Sequence, residues 1–398
     1  MPWSALLRMR SSKPQNPSAN EGWDLERYLE KAWKRVRHCH GAAGIDRVSV
    51  QAFGRDHRIA LKELARLTRS GEFAFSRLKA VSVPKPDGSL RPLEIPTVRD
   101  RVVLQAMRLA VQPGLERHMS PSSYAYRDGR GVHEALAAIR DSLARSAVWI
   151  VKTDIRRFFE SIDHDHLRRS LHDHGCRQGA HPLLNSALQI SSTHRPRSRG
   201  VAQGSPLSPL LANASLIEFD REVQRRGGLI RYADDMVIST ASRVEAKHAL
   251  RLAKQQCREM GLQLHPKKTC VIDARKTAFE FLGFEITPTQ IRPATRNIRK
   301  IEEAIDHWLN PNQRLSSPKR VDRLNAVLRS FVWYYRTTDC DRILLDLDAR
   351  IRQRCDDLRS KQYPRGWGTK IVQPSRLRGE LWHGSKPSHT SDDWSGYG

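Results

Sequence analysis

Leu229-Ile-Arg-Tyr-Ala-Asp-Asp-Met-Val-Ile238 decides how the chain is read. Two short apolar runs, 229–232 and 236–238, flank Ala233, Asp234 and Asp235. Short apolar runs bounded by turn residues read as buried strands. The pattern predicts strand, tight turn, strand, with two carboxylates at the tip. Asp is common in solvated turns, which is the plain explanation of the pair. Two adjacent carboxylates are costly when both ionise without compensation. Divalent cations are one compensation: Mg²⁺ takes oxygen ligands and keeps water and substrate phosphates in its shell.

A second acidic point lies upstream. The apolar run Val148–Val151 leads into Lys152-Thr153-Asp154 and predicts a buried strand ending in an acid. Helical spacing follows each strand region, over Asp165–His172 and Arg243–Met260. Further helices are predicted over Trp23–His38, His57–Thr68 and Arg99–Val111. Leu78–Ile95 reads as a hairpin around Pro84-Lys-Pro-Asp-Gly88, because Asp-Gly supplies the positive φ of a tight turn. Strands interleaved with helices give an α+β class. Near the C-terminus Val321, Leu324, Leu328, Phe331 and Tyr335 form one apolar helix stripe, with Arg320, Arg323, Arg329 and Arg336 outside it. Lys and Arg outnumber Asp and Glu 20 to 11 between 290 and 380, which suits a helical module lying along nucleic acid.

Composition points the same way. The 398 residues are 39% hydrophobic, enough for a core. The formal net charge of +26 disfavours an ordinary neutral metabolic enzyme and favours a polyanionic partner, nucleic acid first. No run of about 18 apolar residues is present. Met1–Arg8 holds no apolar stretch of signal-peptide length. The expected location is therefore the cytoplasm, with no membrane partner. Cys39, Cys176, Cys257, Cys270, Cys340 and Cys355 form no CxxC pair, so reduced thiols are expected and structural zinc is not. His38-Cys39-His40 are consecutive, and such positions seldom converge on one ion. His164, His166, His172, His174 and Cys176 are expected on an exposed helix and loop, and Asp163 as a helix cap. Ser205 lacks a Gly-x-Ser-x-Gly elbow and is not a hydrolase nucleophile.

Tyr232-Ala-Asp-Asp235 with its apolar flanks resembles the signature of reverse transcriptases. Other blocks agree in order. Val151–His164 resembles the first catalytic-aspartate motif of that family, and Gly200–Asn213 its nucleotide-pocket motif. Pro84–Arg101 is similar to the fingers hairpin and Ser122–His133 to the template-side segment after it. Gly261–Thr269 and Phe279–Phe284 complete the series. Ala43–Val50 and Leu324–Arg336 resemble the N-terminal extension and thumb, or maturase, helix of the bacterial group II intron-like branch. No HNH-type endonuclease signature follows, which disfavours a mobile-intron protein cutting its own DNA target. Gln203-Gly-Ser-Pro206 argues against the diversity-generating branch, and no Val-Thr-Gly signature of the retron branch is present.

The resemblance implies a right-hand polymerase with fingers, a palm of antiparallel sheet plus helices, and an α-helical thumb. Its boundaries would be a loose segment 1–20, N-terminal extension and fingers 21–147, palm 148–287, thumb 288–361 and tail 362–398. It implies that Asp154, Asp234 and Asp235 are catalytic, and that with the Ile155 carbonyl they hold two Mg²⁺ ions, for which Mn²⁺ substitutes. Lys85, Arg91, Phe159, Gln203, Gly204 and Lys268 would meet the nucleotide: cations on the triphosphate, Phe159 as a steric gate against a ribose 2′-hydroxyl. Phe158 reads as its core neighbour. Tyr232, Arg130, Leu282 and Gly283 would meet primer or template. Expected partners are an RNA template, a DNA or RNA primer, deoxynucleoside triphosphates and a cognate non-coding RNA. The setting expected is bacterial antiviral defence or a retroelement. Two other readings stay open: a maturase-like splicing cofactor, and a primer-making or RNA-copying polymerase.

Overall fold

The computed structural model describes residues 25–84, 90–174, 182–310, 312, 317–359 and 370–382. The chain divides into two compact units. The first comprises Met1–Ala135, Val151–Ile238 and Val244–Cys270; the second comprises Leu136–Ile150, Ser239–Arg243 and Val271–Gly398.

In the first unit, helix Glu26–His38 buries Leu29, Ala32, Trp33 and Val36, the apolar face its spacing predicts. It packs against helix Val98–Glu116. Thr97 caps that second helix, its hydroxyl accepting from the Asp100 amide at 3.2 Å. Strands β1 (Lys79–Pro84) and β2 (Leu90–Ile95) form the expected antiparallel hairpin, with Lys79 opposite Ile95 and Pro84 opposite Leu90. Its residues are mostly exposed, which suits prolines on a ribbon without further strands. The turn between them, with Lys85, lies outside the described residues.

The central sheet takes β3 (Trp149–Asp154), β4 (Gly228–Tyr232), β5 (Asp235–Thr240) and β6 (Cys270–Asp273) in the order β4-β5-β3-β6. β5 is buried at every position after Asp235. Helix Arg243–Glu259 turns Ala246, Ala249, Ala253 and Cys257 inward. Asp163 caps helix His164–Asp173, accepting from the amides of Asp165 and His166.

The histidines of that helix depart from expectation. His164 and His174 are buried, not displayed. His164 bonds the Gly200 carbonyl at 2.8 Å, and His174 bonds Glu218 at 3.0 Å and the Ser170 carbonyl at 2.7 Å. Each therefore serves as a packed polar bridge between segments distant in sequence. His172 alone of the four is fully on the surface side, 85% exposed.

In the second unit, β7 (Phe279–Phe281), β8 (Phe284–Ile286) and β9 (Ile291–Pro293) make an antiparallel sheet. Helices Thr295–Trp308, Ser317–Tyr335, Asp341–Arg359 and Pro374–Trp382 follow. Val321, Leu324, Leu328, Phe331 and Tyr335 are all buried, as their stripe predicts. Arg320 is a correction: it is 1% exposed and donates to the Asn310 carbonyl at 2.8 Å. It tethers the end of the preceding helix, a use of Arg that surface patterning does not reveal. Residues 370–382 dock on the helices: Asn325 bonds Lys370 and Val372, and Ser375 bonds Asp348. Residues 271–287 cluster with the C-terminal helices. The reason is the β7–β8 turn, where the Gly283 carbonyl accepts from Tyr335 and Asn297. Among the described residues, no helix is long and apolar enough to cross a membrane.

Candidate active site

Strand endings bring the acids together. β3 delivers Asp154 at its last residue, and β4 and β5 meet at a two-residue turn, Ala233-Asp234, with Asp235 opening β5. Ala233 takes φ +57°, the left-handed conformation that reverses the chain so tightly. The Ile155 amide donates to the Asp234 carbonyl at 3.1 Å and locks the two endings side by side. Segment 262–269 lies alongside: His265 donates to the Asp154 carbonyl at 2.7 Å, and Arg156 to that of Gln263 at 2.8 Å. This placement seats the Lys268 ammonium 2.7 Å from Asp154 Oδ2.

The electrostatics follow from crowding. Burial raises the Asp234 carboxyl, and the Asp154 charge raises it further; Lys268 and Arg91 pull it back. Burial pushes Asp235 up to about 7, opposed chiefly by Lys152 and reinforced by Asp234 and Asp154. Burial works against the Lys268 ammonium, yet the Asp154 hydrogen bond and the three carboxylate charges leave its pKa raised. The site is an excess of negative charge looking for a cation.

The donor set fits a hard divalent ion. All the groups offered are oxygens, and carboxylates, water and substrate phosphates are what Mg²⁺ prefers. Among the described residues no three His, Cys, Asp or Glu side chains form a cage on their own. This leaves room for the remaining ligands to arrive with water and substrate.

Phe159 lies in the short helix Phe158–Ser161, half-buried, with Phe158 buried behind it as expected. The Phe159 carbonyl accepts from Val201 at 2.7 Å. Gln203 and Gly204 lie against the hairpin: the Gln203 carbonyl accepts from Glu94 at 2.7 Å. A Cβ on Gly204 would meet the Glu94 carbonyl oxygen at 2.6 Å, at φ +122°. β2 thus approaches the Gly204 backbone closely. Arg91 is exposed on β2, and its charge reaches Asp234. Tyr232 ends β4, half-buried. Arg130 bonds the Pro121 carbonyl at 2.7 Å and lies over the Tyr124 ring, so it braces its own loop. Leu282 and Gly283 lie in the second unit, both at positive φ, their carbonyls held by Tyr334 and Tyr335.

Beneath the acidic turn is a buried bracket absent from the sequence reading. Arg231 is 0% exposed. It donates twice to Asp220 at 2.6 Å, to Asn213 Oδ1 and the Ala233 carbonyl at 3.0 Å, and to Ser123 Oγ at 2.9 Å. An arginine inside an otherwise apolar strand was the available signal, because a buried charge must be paired.

Residues 83–286 match the family described as reverse transcriptase (RNA-dependent DNA polymerase), about half of the chain and the whole of the acidic site. The chain belongs to the reverse transcriptase family. Residues 298–373 match the maturase-specific domain of group II introns, in agreement with the intron-like branch expected from Leu324–Arg336. The chain is 31% identical to the protein YkfC of Escherichia coli over 199 residues, covering 48% of this chain and 51% of YkfC. It is 28% identical to the group II intron-encoded protein LtrA of Lactococcus lactis over 168 residues, covering 41% and 28%. It is 27% identical to the retron Mx162 reverse transcriptase of Myxococcus xanthus over 383 residues, covering 81% and 76%. The chain thus spans about half the length of YkfC and less of LtrA.

Proposed function

We propose that the chain is an RNA-directed DNA polymerase that extends a primer 3′-hydroxyl with deoxynucleotides. The observation that carries this reading is the convergence of Asp154 and Asp234 on one cation-seeking point, with Lys268 at its rim. Asp154 and Asp234 would hold Mg²⁺, with the Ile155 carbonyl as a further oxygen and Mn²⁺ as a substitute. Such ions lower the pKa of the attacking hydroxyl and stabilise charge on the leaving oxygen. Asp235 tunes the site through its field, which the Lys152 charge opposes. Arg91 and Lys85 receive the triphosphate, Lys268 the leaving phosphate, and Phe159 excludes a ribose 2′-hydroxyl. Gln203 packs on the incoming nucleotide from the β2 side, and Tyr232 supports the primer end. Arg130 and the Leu282-Gly283 turn lie along template and primer.

The test is primer extension on an RNA template with purified protein. Extension requires Mg²⁺ or Mn²⁺ and falls by about 10²-fold or more in Asp154→Ala or Asp234→Ala. Equal extension by these variants overturns the reading. A maturase-like role in RNA binding is favoured separately by the 298–373 match and the basic helices. Splicing or RNA binding retained by the Asp234→Ala, Asp235→Ala double variant would separate it from catalysis. A bacterial defence or retroelement setting, and a cognate RNA, are tested by sequencing nucleic acid that co-purifies.

A further inference from the structure

Tyr126 has an unusual combination of properties. Its backbone sits at φ +62°, a left-handed conformation that is a strained outlier for a bulky residue. Such strain persists only where surroundings over-determine it. Here they do. Arg127, buried, donates to the carbonyls of Ser120 at 2.5 Å and Ser123 at 2.7 Å and pairs with Glu116. Asn213 donates to the Ala125 carbonyl at 2.8 Å while accepting from Arg231. Tyr124 donates to the Arg231 carbonyl at 2.9 Å. The loop is therefore tied to the same bracket that supports the Asp234 turn.

All this support does not bury the ring. Tyr126 is 45% exposed, and its ring meets Phe159 edge-on, centroids 6.4 Å apart at 88°. Phe159 also meets buried Phe158, centroids 5.7 Å apart at 71°. Both geometries fall in the favoured edge-to-face range. Phe159 thus contacts two rings, one in the core and one displayed on strained backbone.

We propose that Tyr126 is a specificity-determining residue that braces Phe159, so that rejection of ribonucleotides depends on the pair of rings. This rests on the reading of Phe159 as the sugar gate. A lone ring yields to a 2′-hydroxyl by rotating aside; a braced one does not, and the ribose must displace both. Tyr126 is a positioning residue and takes no part in bond making.

The experiment compares single-nucleotide incorporation of CTP and dCTP, as the ratio of their kcat/KM values, on one RNA template and DNA primer. Wild type, Phe159→Ala, Tyr126→Asn, Tyr126→Phe and the Tyr126→Asn, Phe159→Ala double variant are compared. Asn suits a left-handed backbone and removes the ring without adding strain. Tyr126→Asn relaxes discrimination by about 2- to 10-fold, the worth of one edge-to-face pair, with dCTP incorporation unchanged. Tyr126→Phe keeps the ring and keeps wild-type discrimination. In the double variant the loss of Tyr126 adds nothing to the loss of Phe159. If Phe159→Ala relaxes discrimination and Tyr126→Asn does not, the brace is wrong and the gate stands. If Phe159→Ala leaves discrimination intact, the gate is wrong and the brace falls with it. An equal fall for CTP and dCTP in Tyr126→Asn also overturns the brace, since it marks a purely structural role.

Discussion

Lys268 Nζ lies 2.7 Å from Asp154 Oδ2, so the first acid of the site holds a cation that the chain itself supplies. Any metal ion taken up by Asp154 competes with that ammonium. Lys268→Gln should therefore lower the Mg²⁺ concentration for half-maximal extension by about two- to fivefold, the worth of a partly exposed ion pair. A Mg²⁺ titration of both proteins checks it. An unchanged or higher requirement would show that Lys268 does not compete for Asp154.

Arg231 and Asp220 form a doubly hydrogen-bonded pair, each side chain 1% exposed. Removing one partner leaves the other charged and buried, a loss of about 3–5 kcal/mol. Arg231→Met and Asp220→Leu should each lower the denaturant midpoint strongly. The double variant should lose much less than the sum, because no orphan charge remains. Additive losses would contradict the pairing.

Gly204 has its own expected outcome. At φ +122° with Glu94 O 2.6 Å from a Cβ, Gly204→Ala strains both the backbone and the contact with β2. A cost of about 1–3 kcal/mol in stability is expected, together with a weaker nucleotide KM. Substituting Gly114, where a Cβ would meet nothing within 4 Å, serves as the control. Similar behaviour of the two variants would refute the steric account.

Asp100 links stability to pH. Burial pushes its carboxyl up to about 6, against the pull of Arg99 and the Ser76 amide, and Oδ1 has no hydrogen-bond partner among the described residues. Between the ordinary value of 3.8 and about 6 the unfolded chain releases this proton while the folded chain keeps it. This group therefore favours folding fully below 3.8, and its contribution is lost as pH rises through about 6. The difference in unfolding free energy between wild type and Asp100→Asn should shift in favour of the variant by on the order of 2 kcal/mol from pH 4 to pH 7. Denaturation at several pH values measures it; a flat difference would rule it out.

How much was legible differs from residue to residue. Asp154, Asp234 and the turn at Ala233 were legible because strand and turn signals sit in the same few residues as the acids. The capping role of Asp163 was legible for the same reason. His164 and His174 were misread as surface groups, since their partners Gly200 and Glu218 lie 36 and 44 residues away. Arg320 looked like part of a basic face, yet its direction is set by the Asn310 carbonyl at the end of another helix.

The amino-acid order alone determined the α+β class, the positions of the acids at strand ends and the apolar stripe of helix Ser317–Tyr335. These depend on periodicity and turn chemistry, which act within one or two turns of chain. Only the tertiary structure decided that Arg231 supports the acidic turn, that β2 is the neighbour of Gly204, that Tyr126 faces Phe159, and that 370–382 dock. Those are meetings of segments far apart in sequence, and a buried charge or a strained backbone acquires its meaning only from the partner it meets.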